Sequence, residues 1–132
     1  MLKYSIDHIH IASADPLKTA NFFIRMFAAK KVREILSTDA LMPGPHIEMT
    51  MADTRLIITP PRPNQSKEDA PRERLGLEHF GLFTNDIKRA VADLKANGAR
   101  VLDEPYVGVA GNTVAFVEVP DNVIIELKQA AI

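Results

Sequence analysis

His8, His10, His79 and Glu126 are the residues of this chain whose types and settings suit holding a cation or moving a proton. His8 and His10 lie in Ile6-Asp7-His8-Ile9-His10-Ile11-Ala12, where β-branched residues alternate with others at period two, the pattern of a strand. Alternation sends Ile9 and Ile11 to one face and both imidazoles to the other. Leu77-Glu78-His79-Phe80-Gly81-Leu82-Phe83 repeats the plan, with His79 in the place of His8. In the last strand, Val123, Ile125 and Leu127 suit a helix-covered face, which turns Glu126 to the opposite one. Two imidazoles and one carboxylate make a ligand set for a divalent metal such as Fe(II), Mn(II), Zn(II), Co(II) or Ni(II), with positions left open for substrate or water. A single strand histidine is more often a hydrogen-bonded structural residue. Two at equivalent repeat positions, with Glu126, favour ligation.

The elements that must carry these groups can be read in chain order. Tyr4 to Ala12 is predicted as a strand. Asp15-Pro16 reads as an N-cap and first helical residue. Leu17, Ala20, Ile24 and Phe27 follow at helical spacing, predicting a helix over 16–29. Lys31 to Leu36 is a short strand. His46 to Met51 and Arg55 to Thr59 form a hairpin turning near Asp53-Thr54. That turn places Thr50 opposite Ile57 and puts His46, Glu48, Thr50, Arg55, Ile57 and Thr59 on one face. Met49, Met51, Leu56 and Ile58 take the helix side. Glu48 is then a possible general base or extra ligand. His10 is a hydrogen-bonding neighbour of the ligands, an acid/base group, or a filler at the wall of the site. Arg55 can grip a substrate carboxylate or phosphate, or simply sit in solvent.

Pro60 to Leu75 holds four of the nine prolines and many charges, Arg72, Glu73 and Arg74 among them, and reads as a linker. A second half restarts at Gly76. It has a strand to Phe83, a cap at Thr84-Asn85-Asp86, and a helix with Ile87, Ala90, Val91 and Leu94 on one face up to Gly98. A strand over Val101 to Pro105 follows, then a hairpin of Asn112 to Glu118 and Val123 to Lys128. Tyr106 lies near Gly108, where it could cover the mouth of a site. His8 and Asp15 superpose on His79 and Asp86 at one offset, so the chain is an internal repeat. The expectation is one α+β domain over 1–132, with module one at 1–60, a linker at 61–75 and module two at 76–132.

Composition bounds the function. The chain has 132 residues, 46% of them hydrophobic and 25% charged, values of an ordinary globular domain with a real core. A net charge of −1 gives no broad attraction to nucleic acid or anionic membrane. The absence of cysteine excludes disulfides, thiolate ligands and a cysteine nucleophile. Residues 1–20 lack a signal-peptide pattern and no apolar run reaches membrane-spanning length, so a cytoplasmic protein is expected.

The stretches Ile6 to Ile11 with Asp15, Ala20-Asn21-Phe22-Phe23 through Phe27, Leu77 to Leu82 with Asp86, and Pro120 to Leu127 together resemble the vicinal oxygen chelate superfamily. That superfamily includes glyoxalase I, methylmalonyl-CoA epimerase, extradiol dioxygenases, fosfomycin-resistance enzymes and bleomycin-binding proteins. The resemblance implies two tandem βαβββ modules forming a cup-shaped mixed sheet, a divalent metal held by His8, His79 and Glu126, and a homodimer. Ile57 stands where four-ligand members carry Glu or Gln, which makes Glu48 the candidate base. Ala28 replaces a common helix-ending glycine, and Asp121-Asn122-Val123 lacks the usual hairpin glycine.

The expected function is therefore a metal-dependent enzyme whose small substrate chelates the metal through adjacent oxygens. Lyase or isomerase chemistry, glyoxalase- or epimerase-like, is preferred because ring-cleaving members are usually longer. An Fe(II) ring-cleaving dioxygenase is the runner-up. A non-catalytic antibiotic- or metabolite-binding protein is the other alternative, against which the retained ligand triad argues.

Overall fold

The first strand of each half is defined by a single parallel partner. In the computed structural model, which describes residues 1–63 and 75–130, the chain divides into two units, Met1–Glu68 and Asp69–Ile132. The first contains β1 (His8–Ala12), α1 (Pro16–Phe27), β2 (Lys30–Ser37), β3 (Gly44–Met51) and β4 (Thr54–Thr59). Its sheet order is β1-β4-β3-β2, with β1 parallel to β4 and the other pairs antiparallel. The second contains β5 (Phe80–Phe83), α2 (Ile87–Ala96), β6 (Arg100–Val107), β7 (Thr113–Val119) and β8 (Val123–Gln129), ordered β5-β8-β7-β6 with β5 parallel to β8. Each unit is thus a βαβββ unit with a four-stranded mixed sheet, and the α+β class expected from the repeat is the one observed. The proline- and charge-rich linker falls mostly at 64–74, with Arg72, Glu73 and Arg74, outside the described residues.

Both first strands start later than predicted. β1 begins at His8 rather than Tyr4, and β5 at Phe80 rather than Gly76. A strand needs a ladder, and β4 and β8 offer theirs from His8↔Arg55 and Phe80↔Ile125 onward. Upstream, Tyr4, Ile6 and Leu77 are exposed.

The helices begin where their caps predict. Asp15 and Asp86 accept hydrogen bonds from the backbone N–H of Lys18 and Arg89, satisfying one first-turn donor each. The first helix stops at Phe27, short of the predicted residue 29, because Ala28 turns left-handed (φ 54°) and returns its N–H to the Phe23 carbonyl. Its buried face is also rotated from the expected one. Thr19, Ala20, Phe22 and Phe23 are buried, whereas Leu17 is 53% and Ile24 37% exposed. Phe22, Phe23 and Phe27 form a ring cluster, with Phe23 and Phe27 centroids 5.4 Å apart, and these larger rings take the interior in place of the aliphatic stripe. In the second helix, Ile87, Val91 and Leu94 are buried as predicted.

Sheet faces follow the predicted parity. Ile47, Met49, Met51, Leu56 and Ile58 are buried beneath α1, and Val117, Ile125 and Leu127 are buried in the unit of α2. The β3–β4 turn is Ala52-Asp53, not Asp53-Thr54, and Thr50 faces Arg55 while Glu48 faces Ile57. This register differs from the expected one by two residues, so every side chain keeps its face. Ala52 takes φ 53° there. At the β7–β8 connection Asp121 and Asn122 take φ 64° and 60°, so the turn forms without glycine. Tyr106 is half-exposed in β6, paired with Val114. Among the described residues no helix is long and apolar enough to cross a membrane.

Candidate metal-binding residues and their neighbours

In the second unit, β5 lies beside β8 with Gly81 opposite Glu126. His79, just upstream of β5, brings Nε2 to 3.5 Å from Glu126 Oε2. Two donors bound at about 2.1 Å and a tetrahedral angle stand about 3.4 Å apart. The observed spacing therefore fits an imidazole and a carboxylate sharing one cation. The other ring nitrogen, Nδ1, lies 3.2 Å from Glu78 Oε1. Phe116, opposite Glu126 on β7, packs edge-on to the His79 ring at 5.1 Å between centroids. Lys128 Nζ is 3.9 Å from Glu126 Oε1.

In the first unit, His8 opens β1 and gives its Nδ1 to Asp7 Oδ2 at 2.7 Å. Asp7 is also gripped by Arg55 Nη1 at 3.1 and 3.2 Å. Arg55 Nη2 donates to Glu48 Oε1 at 3.0 Å, and Glu48 takes two further bonds from Arg33. One chain of ion pairs and hydrogen bonds, Arg33–Glu48–Arg55–Asp7–His8, thus crosses the sheet from β2 to β1. The bond to His8 and then the charge of Arg55 hold the Asp7 carboxyl below the usual carboxylate range. Hydrogen bonding from Arg33, then the charges of Arg33 and Arg55, do the same for Glu48. A carboxylate so stabilised is a weaker proton acceptor.

His10 lies one turn of the pleat further along, opposite Ile57. The buried Thr59 hydroxyl donates to the Pro60 carbonyl, so its oxygen accepts from His10 Nε2–H at 2.8 Å. With the hydroxyl proton engaged by Pro60, the compatible neutral tautomer is Nε2–H, which leaves Nδ1 as the acceptor. Burial, followed by the nearby positive charge of His8, His46 and Arg62, pushes the His10 pKa down and favours the neutral ring.

The predicted residues are thus distributed between units. His79 and Glu126 come together in the second, while His8, His10 and Glu48 lie on one sheet in the first. Within either unit, taken alone, no three His, Asp or Glu side chains among the described residues gather into a metal-holding group. The repeat explains the uneven division. Ile57, the partner of Glu48 and His10, occupies the place that Glu126, the partner of Phe116 and Gly81, occupies in the second unit. Glu48 correspondingly matches Phe116.

The sequence places Thr59 on the face that carries Glu48 but gives no role to Asp7, Glu78, Arg33 or Phe116; of these, the two acids leave a trace, each standing immediately before its histidine.

Comparison with known proteins places the fold. The chain is similar to the fosfomycin resistance protein FosX from Listeria monocytogenes, with 18% identity, a TM-score of 0.72, and coverage of 99% of this chain and 97% of that one. TnmS3, an antibiotic binding protein from Streptomyces sp. CB03234, gives 19% identity and a TM-score of 0.71, with 99% of both chains covered. A glyoxalase I mutant from Zea mays gives 20% identity and a TM-score of 0.76 over 96% of this chain and 45% of that one. At these identities the likeness is one of fold. No curated protein sequence matches the chain. The family model of the Glyoxalase/Bleomycin resistance protein/Dioxygenase superfamily matches residues 7–116, from the acid beside His8 to the ring beside His79. With paired βαβββ units and a match over most of its length, the chain belongs to that superfamily.

Proposed function

We propose that the chain is a divalent-metal-dependent enzyme acting on a small substrate that chelates the metal through adjacent oxygens, with lyase or isomerase chemistry of the glyoxalase or epimerase type. The observation that carries this reading is the 3.5 Å approach of His79 Nε2 to Glu126 Oε2, in a unit whose repeat carries His8 at the matching position. His8, His79 and Glu126 would hold the metal. When bound, such an ion supplies Lewis acidity toward substrate oxygens and stabilises negative charge that develops on them.

The chain's own residues then divide the remaining work. A proton acceptor works best with a pKa near the operating pH, and Glu48, bonded to two guanidiniums, is poorly matched to that task. We assign it to holding Arg33 and Arg55 instead. His10 keeps Nδ1 as a lone-pair nitrogen because Thr59 takes its Nε2–H, and it is the better candidate to accept a proton. The protein would work as a homodimer.

Metal analysis of the purified full-length protein tests the reading. The expected result is one transition-metal ion per chain, lost in His8→Ala, His79→Ala and Glu126→Gln. A wild-type protein that takes up none when titrated would instead fit sequestration of a small molecule. Exchange of solvent deuterium into the substrate, without oxygen consumption, separates lyase or isomerase chemistry from ring cleavage.

A further inference from the structure

We infer that Asp7 and Glu78 are positioning residues that select which ring nitrogen His8 and His79 present, each carboxylate holding Nδ1–H so that Nε2 carries the lone pair. The relevance to metal rests on the reading of these histidines as ligands; the choice of tautomer does not. The Nδ1 contacts are 2.7 Å in the first unit and 3.2 Å in the second. An ionised carboxylate can only accept, so Nδ1 must donate. A neutral imidazole has one such proton, which leaves Nε2 as the acceptor. In the second unit Nε2 faces a carboxylate as well, but Glu126 Oε2 stands at 3.5 Å, beyond ordinary hydrogen-bond distance, whereas Glu78 lies at 3.2 Å from Nδ1, so the single proton goes to Nδ1.

The placement is specific. Neighbouring residues on a regular strand point to opposite faces and cannot touch. Asp7 lies just before β1, and Glu78 and His79 just before β5. The second acid–histidine pair therefore sits before the ladder, and the first straddles its opening residue, where alternation is not yet imposed on the acid. The same device appears twice, at positions equivalent by the repeat.

The two copies differ in their support. Asp7 is fixed by Arg55, which is itself fixed by Glu48. Glu78 is tied to His79 by a hydrogen bond at 3.2 Å, with no guanidinium among the described residues shown bracing it as Arg55 braces Asp7. Arg55 is therefore expected to influence His8 and not His79.

Nitrogen NMR of histidine-labelled, metal-free, full-length protein decides the matter, recorded about two pH units above the ordinary imidazole value. The wild type should show Nδ1–H and an unprotonated Nε2 at both rings. Asp7→Ala should move His8 toward the Nε2–H form and leave His79 unchanged, and Glu78→Ala should do the reverse. Arg55→Gln should give a smaller change at His8 only. Asp7→Asn, which keeps an acceptor oxygen, should restore part of the wild-type signal. Zn(II) titration should show affinity about 10–100-fold weaker in each alanine variant. Unchanged tautomers in both alanine variants would overturn the inference, as would Nε2–H in the wild type. If the wild type bound no Zn(II) while the NMR changes occurred as described, the ligand reading would fall and the tautomer assignment would stand.

Discussion

Phe116 meets the His79 imidazole edge to face, with centroids 5.1 Å apart and planes at 86°. The ring limits the tilt of His79. Phe116→Leu keeps an apolar residue on β7 but removes that wall. Zn(II) affinity should fall by up to about tenfold, equivalent to about 1.4 kcal/mol, with little change in the far-UV circular dichroism. Affinity equal to wild type would mean that Glu78 alone holds the ring.

Glu48 and Asp7 make the first unit sensitive to acid. Both carboxyls have folded-state pKa values below their ordinary ones. Their contribution is therefore present above the unfolded values and is lost as pH falls through the folded ones. Glu48→Gln should lower the urea midpoint at pH 7 and have less effect at the acid end, where wild-type Glu48 is itself protonated. A difference between the two proteins that grew on acidification would contradict the sign. If Glu48 were the catalytic base, the same variant would also abolish turnover, whereas the assigned role leaves a measurable rate.

The rotated face of the first helix gives a direct comparison. Phe23 is fully buried and Leu17 is 53% exposed. Phe23→Ala should cost about 3–5 kcal/mol in denaturant unfolding. Leu17→Ala should cost under about 0.5 kcal/mol, as surface substitutions do. Comparable losses would restore the aliphatic stripe as the packed face.

Ala28 ends that helix in the left-handed region, at φ 54°. The conformation costs an L-residue roughly 1–2 kcal/mol and glycine nothing steric. Ala28→Gly should therefore raise the melting temperature, by a net stabilisation of about 1 kcal/mol. A lowered melting temperature would show that the methyl group packs usefully.

Element types, both helix caps and the parity of the sheet faces were legible in the sequence because each depends on local spacing. Asp15 and Asp86 announce the helices, and a two-residue change in hairpin register leaves Glu48 and Ile57 on the face already assigned to them. Strand beginnings were not legible, since Tyr4 to Asp7 looks like a strand until β4 is seen to offer it no partner. The pairing of His79 with Glu126 was within reach of alternation. The charge chain through Arg33 was not, because it joins residues from four strands whose order follows from pairing rather than from periodicity. Asp7 and Glu78 were hidden for the opposite reason: sequence neighbours in a strand are presumed to diverge, and these do not.

The mismatch between Ile57 and Glu126 at equivalent places has an evolutionary consequence. Because the backbone at both positions already follows the same ladder, Ile57→Glu would set a carboxylate beside His10 without remodelling any loop. In a duplicated scaffold of this kind a single codon change can add an acid to one copy, so a second acid–imidazole pairing can be explored while the other copy keeps the His79–Glu126 contact unchanged.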